Sequence, residues 1–229
     1  MLTRALLLVL LLPGSVTLAQ TAPTSVPSAA PLPALYRPLF EKGTRWTFSG
    51  THTEKWWNDD TRRTDVTRKA IRFSCMVAEV VERRGWRASR IDCTGAEKPT
   101  CAPLGYPLAR VYVASERGLF AAEKLPTDER GYKDATKGSP ILPARPKPEK
   151  RVERFGDKES PDLVLRSAVR QRTLRHRGRP LRAWCVRDET EEADPRKQEL
   201  CLADAVGPLY LYYWHSGGST DIHEARRDP

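Results

Sequence analysis

Three groups of residues in this chain are of types that carry chemistry. The first is His215, Asp221 and His223, which flank a turn at Gly217-Gly218. Two imidazoles and a carboxylate are a donor set for a borderline divalent metal. Their spacing across a hairpin matches no established metal motif, so the sequence assigns no metal and no cofactor. The second is a basic stripe. Arg166, Arg170, Arg172 and His176 share one parity, and Arg175, Arg177, Arg179 and Arg182 lie at or near the turn that follows. On one sheet face, forked guanidinium donors could hold sulfate, phosphate or carboxylate groups. A solvated outer face is the plainer reading of the same pattern. The third group is the five cysteines, Cys75, Cys93, Cys101, Cys185 and Cys201.

No catalytic constellation stands out. Glu54, Asp59 and Asp60 could serve as paired carboxylates, but a turn with a solvated charged arm is by far the better reading. Ser216 precedes two glycines without the G-x-S-x-G context of a nucleophile elbow. There is no glycine-rich phosphate loop. The expectation is a protein that is not an enzyme.

Positioning these groups falls to strands. Ile71, Phe73, Cys75 and Val77 alternate with Arg72, Ser74 and Met76, the period of a half-buried strand. Glu82 to Gly85 supplies a turn, and a second arm runs from Trp86 to Cys93. Folding about residue 84 sets Cys75 opposite Cys93. Folding about residue 193 likewise sets Cys185 opposite Cys201, joining 183–186 to 199–202. Opposed residues in an antiparallel pair bring Cα atoms roughly 4.5–5.5 Å apart, within the ~4.4–6.8 Å of a disulfide. The expected bridges are therefore Cys75–Cys93 and Cys185–Cys201, with Cys101 left over. A Cys93–Cys101 bridge is the rival pairing. The cysteines lack the C-x-x-C spacing of a zinc site.

Further hairpins are read at 44–57 with 63–69, at 109–114 with 119–122, at 163–174 with 181–189, and at 209–215 with 220–225. The proline- and charge-rich stretch 125–162 reads as an excursion from the sheet. The fold class is all-β: a curved antiparallel meander of hairpins, an open sheet or half-barrel, stapled by disulfides. Trp56, Trp57, Tyr210, Tyr212, Tyr213 and Trp214 could line its concavity or simply fill its core.

The chain has 229 residues and a formal net charge of +10. Met1 to Ala19 reads as a signal peptide, with Arg4, an apolar run to Leu12 and a small-residue site at Thr17-Leu18-Ala19. Residues 20–35 read as a flexible leader rich in Pro, Ala, Ser and Thr. Residues 36–229 are expected to form one β-rich domain in a secreted or periplasmic protein, with no transmembrane segment. Disulfides suit that oxidising setting. The basic balance favours anionic partners such as lipid headgroups or acidic glycans. Sparse aromatics along the stripe argue against single-stranded nucleic acid.

Tyr36-Arg37-Pro38-Leu39, then Gly43, Trp46 and Phe48, resembles the opening of bacterial secreted β-proteins of uncharacterised function. Their pattern is Y-x-P-L, a Gly, then W-x-Y or W-x-F. The spacing to Gly43 is one residue longer here. Val111-Tyr112-Val113 with Glu116 to Phe120 resembles that group's central hairpin, and Ala203 to Leu209 its late G-V-G-x-V element, with Gly207 matching. The resemblance implies a curved antiparallel sheet similar to the half-barrels of periplasmic lipoprotein carriers. It implies no catalytic residues. The expected role is a non-enzymatic envelope protein that binds a lipid or anionic component or acts as a scaffold. A wall or glycan hydrolase and a polyanion-binding adhesion module are the alternatives.

Overall fold

The computed structural model describes residues 32–95, 108, 110–156, 161–191, 195–217 and 219–229. The segment read as a signal peptide, most of the stretch read as a leader, and Cys101 lie outside the described residues. A 3-10 turn, Arg37–Phe40, leads into β1 (Arg45–Asn58), β2 (Arg63–Arg83) and β3 (Trp86–Thr94). There follow β4 (Val111–Ser115), β5 (Gly118–Ala122), helix α1 (Glu129–Ala135), β6 (Leu142–Pro143) and β7 (Glu149–Gly156). The chain ends with β8 (Pro161–His176), β9 (Arg179–Glu191), β10 (Arg196–Ala203), β11 (Gly207–Gly217) and β12 (Ser219–Arg227).

These twelve strands form one sheet in the order β6-β5-β4-β3-β2-β1-β12-β11-β10-β9-β8-β7. Two meanders, β1 to β6 and β7 to β12, are thus joined along β1 and β12. That pairing is antiparallel and runs from Phe48↔Arg227 to Trp56↔Ser219.

Connectivity dictates the curl. A flat sheet of twelve strands would be roughly 50 Å wide at about 4.8 Å per strand. Its two edges, β6 and β7, are consecutive in the chain. Pro143 to Glu149 can reach at most roughly 20 Å. The sheet must therefore bend into a half-barrel. Arg151 of β7 clasps the approaching edges, donating to the carbonyls of Pro140 at 2.7 Å and Ile141 at 3.3 Å.

The concave face carries the main core. Phe48, Ile71, Phe73, Leu119, Leu200 and Leu211 belong to one buried cluster although they come from both meanders. Leu35, Tyr36, Leu39 and Phe40 plug one end of it. Burial holds the Tyr36 phenol above its ordinary range, so it stays a donor. It donates to the carbonyl of Leu142 at 3.1 Å and also contacts that of Pro143. Gly207, at φ +88°, lets the plug close: an added Cβ would crowd Pro38 at 3.0 Å and Trp46 at 3.3 Å.

Part of the convex face is covered as well. Trp86, Ala88, Val111, Val113 and Phe120 form a second cluster, packed against Leu125 and the α1 residues Tyr132 and Ala135. Asp128 caps α1 by accepting the Gly131 amide at 2.8 Å. Tyr132 then stacks on Trp86 at 5.1 Å, and the Trp86 indole donates to Glu129 at 2.9 Å. The stretch 125–162 is accordingly no simple excursion. It holds α1 and returns to the sheet as β6 and β7. Its alternation of charges hides a strand because β7 is an edge, where charged side chains are tolerated and block further pairing.

Both expected disulfides are present, Cys75–Cys93 and Cys185–Cys201, each with Cα atoms 4.0 Å apart. They lie on opposite faces of the sheet. Cys75 belongs to the concave core, and Cys185 and Cys201 to a third cluster with Ala183, Ala203 and Leu209 on the convex side.

Candidate functional site on the concave face

Strand register sorts the concave face into layers. Moving from β2 across β1, β12, β11 and β10, one layer runs Ile71, Gly50, Ala225, Leu211 and Leu200. It continues to Val186 and Val169 on β9 and β8. This layer is apolar, and all of these side chains except the glycine belong to the concave core.

Two residues further along each strand the chemistry changes. The next layer runs Lys69, His52, His223, Tyr213 and Gln198, and continues to Asp188, Ser167 and Arg151. The layer beyond it holds Thr67, Glu54, Asp221, His215 and Arg196. Alternation along a strand places residues i, i+2 and i+4 on one face. The same pleat that sends apolar residues inward near the plug therefore sends polar ones inward at the far end. The concavity is apolar and filled at the plug, and polar towards its other mouth.

The polar layers are hydrogen-bonded internally. Gln198 accepts from Arg110 at 3.0 Å and donates to Asp188 at 3.1 Å. Arg110 precedes β4, so this chain of bonds crosses from one meander to the other. Ile141, Val186 and Leu200 join these polar residues around a small pocket of about 20 Å³.

The tightest group is His52, Asp221 and His223. The two imidazoles lie directly opposite on β1 and β12 and stack at 4.1 Å with 14° between their planes. Asp221 lies 3.1 Å from His52 Nε2. Each of the three residues offers one ligand-type atom, and these lie within 4.8 Å of one another. The group is shielded: His223 is 3% exposed, and the His52 and Asp221 side chains 12% and 19%. Tyr213 sets its ring edge towards His223 at 6.1 Å.

From the sequence, His215, Asp221 and His223 form a possible donor set to which no metal is assigned. The structure keeps Asp221 and His223 together but replaces His215 by His52. The missed signal is parity, because His52 follows Trp46, Phe48 and Gly50 at intervals of two. What parity cannot supply is the partner, since β1 and β12 are far apart in sequence.

The basic stripe is resolved differently. Arg166, Arg170 and Arg172 do share the convex face, but each meets a carboxylate. Arg170 and Arg172 both bond Glu199, at 2.9 and 3.1 Å, and Glu199 is 4% exposed. Arg166 pairs with Glu191. Arg172 also lies over the Tyr210 ring at 5.3 Å. Arg170 and Arg172 thus share one buried carboxylate beside the Cys185–Cys201 bridge, and Arg166 forms a separate pair with Glu191. Arg175 and Arg177 stand at the exposed β8–β9 turn, where Arg177 has a φ of +51°.

Trp56 and Tyr213 fall on the concave side with the polar layers, by their register with Asp65 and His223. Trp57 is exposed. Tyr210 packs against the convex third cluster. Among the described residues, no helix is long and apolar enough to cross a membrane. In comparison with known proteins, no family model, curated protein or solved structure matches this chain.

Proposed function

We propose that this chain is a secreted or periplasmic binding protein that acts without catalysis and takes a polar envelope component at the polar mouth of its half-barrel. The observation that carries this reading is the pair of polar layers, from Lys69 to Arg151 and from Thr67 to Arg196, facing the concavity across consecutive strands. Polar side chains gathered on the concave face of a sheet, already bonded to one another, also offer donors and acceptors to a polar ligand in the mouth. The signal-like Met1 to Ala19 and two disulfides support the oxidising compartment. The filled interior near the plug favours a polar component over a buried lipid chain.

The test is native mass spectrometry of the chain secreted into an oxidising compartment and stripped of metal. A retained polar molecule, lost in Arg196→Ala with Gln198→Ala while the circular dichroism spectrum is unchanged, supports the reading. Retention that survives both substitutions overturns it. A bare chain that also binds no envelope extract overturns it as well.

One observation favours a second reading. Glu54 and Asp221 are direct partners across β1 and β12, which places two acids face to face on the polar mouth. A glycan hydrolase needs such a pair. Turnover of a wall glycan, abolished in Glu54→Gln, would establish it; absence of turnover removes it.

A further inference from the structure

We infer that His52, His223 and Asp221 form a binding site for one first-row divalent transition cation, with zinc as its simplest probe. The inference rests on reading the concave face as a binding surface and names one occupant of it. Three observations carry it. The donor set is two imidazole nitrogens and one carboxylate oxygen, which suits borderline metals and not calcium or magnesium. The three donor atoms lie within 4.8 Å of one another, a spread that small side-chain rotations close around an ion. All three residues stand on two paired strands of a twelve-stranded sheet, so their backbone positions are fixed before any ion arrives.

The surroundings fit the same chemistry. The Asp221 carboxylate already lies 3.1 Å from His52 Nε2 and is placed to share that nitrogen's side of the site with an ion. The two imidazoles stack at 4.1 Å, which keeps both rings on one side of the β1–β12 pair. Glu54 and His215 both face Asp221 in the strand register, on β1 and β11. Lys69 faces His52 from β2. Three protein donors leave a coordination position open to water or to a polar ligand in the mouth, the arrangement of sites that do more than hold a fold. The second cluster of this kind, Cys185, Glu199 and Cys201, has both its sulfurs in a disulfide and is no competitor.

The test is calorimetric titration of Zn²⁺ into the EDTA-stripped, disulfide-intact chain at neutral pH, with Co²⁺ absorption as a second readout. The expected result is one ion per chain. His52→Asn and His223→Asn should each weaken binding by about 100-fold or more, since even supporting residues of a metal site cost 10–100-fold. His176→Asn, on the convex side, serves as the control and should bind as the unaltered chain does. Circular dichroism of each variant separates loss of site from loss of fold; if a histidine variant unfolds, Asp221→Asn replaces it. No saturable binding, or binding equal in the variants and the control, overturns the inference. Because the ligand test is run on metal-stripped protein, failure here leaves the reading of the polar mouth standing, and failure there leaves the metal site standing.

Discussion

Cys75 faces Cys93 because Ala78 has no partner on β3. From the turn, the register runs Arg83↔Trp86 through Glu79↔Arg90, which would set Cys93 opposite Met76. Between Val77 and Glu79 the register shifts by one residue, a β-bulge at Ala78, and Cys75 then meets Cys93. The same shift moves Val80 to the concave core and Val81 to the convex cluster with Trp86. Deletion of Ala78 should remove the bulge and let Glu79↔Arg90 run directly into Val77↔Ile91, so Cys75 still meets Cys93 and the bridge persists in non-reducing peptide maps. A map that lacks that bridge would contradict Ala78 as the extra residue of the bulge.

Replacing both cysteines of either bridge by alanine should cost about 3 kcal/mol, as expected for closed loops of this size. The separations are 18 and 16 residues, so the two losses should be similar. Urea unfolding of the two double variants measures them. A loss below 1 kcal/mol at either site would show that the bridge adds little beyond the hairpin.

Gly50 has no room for a side chain. A Cβ there would overlap the Glu224 carbonyl and lie 2.6 Å from Ala225 Cα, both backbone atoms of β12. Gly50→Val should lower stability by about 2 kcal/mol or more, in the range of overpacked cores. A variant with an unchanged melting temperature would mean that β12 is not seated against β1 as described.

Glu199 links two arginines across β8 and β10. Arg170 and Arg172 are 46% and 36% exposed, so solvent weakens each contact, while Glu199 is buried. Arg170→Ala or Arg172→Ala alone should cost about 1 kcal/mol or less. Glu199→Ala should not add independently to either, because the three groups share one network. Denaturation of the single and double variants gives the coupling directly, and strictly additive losses would argue that the contacts are incidental.

His176 supplies a pH dependence. Burial, and then the charges of Arg227 and Arg177, hold its imidazole below the ordinary value of 6.5. The folded chain therefore resists a proton that the unfolded chain accepts. Its contribution to stability is complete above about pH 6.5 and is lost as the pH falls through the lower folded value. Between pH 7.5 and pH 5.5 the urea midpoint of His176→Gln should fall less than that of the unaltered chain. Equal falls would assign the acid sensitivity elsewhere.

Local pattern made the hairpins legible. Alternation at Ile71 to Val77, the turn residues Arg177-Gly178 and the paired cysteines each act between neighbours in sequence. The central closure was not legible. Nothing in Arg45–Asn58 marks Ser219–Arg227 as its partner, because that pairing is selected by the short link between β6 and β7 and by burial of the whole concave face. His52 was missed for the same reason. The acids that neutralise the arginine stripe were hidden too, since Glu199 lies on β10, two strands from Arg170.

Pairing of β1 with β12 underlies both the polar mouth and the histidine pair, and it can be tested by a cross-link. Ser49 and Arg226 are direct partners on those strands. Opposed residues lie roughly 4.5–5.5 Å apart at Cα, within reach of a disulfide. Ser49→Cys combined with Arg226→Cys should form a third bridge in the secreted chain without loss of the other two, as read by non-reducing peptide mapping. Free thiols at both positions in folded protein would contradict the closure, and with it the site built upon it.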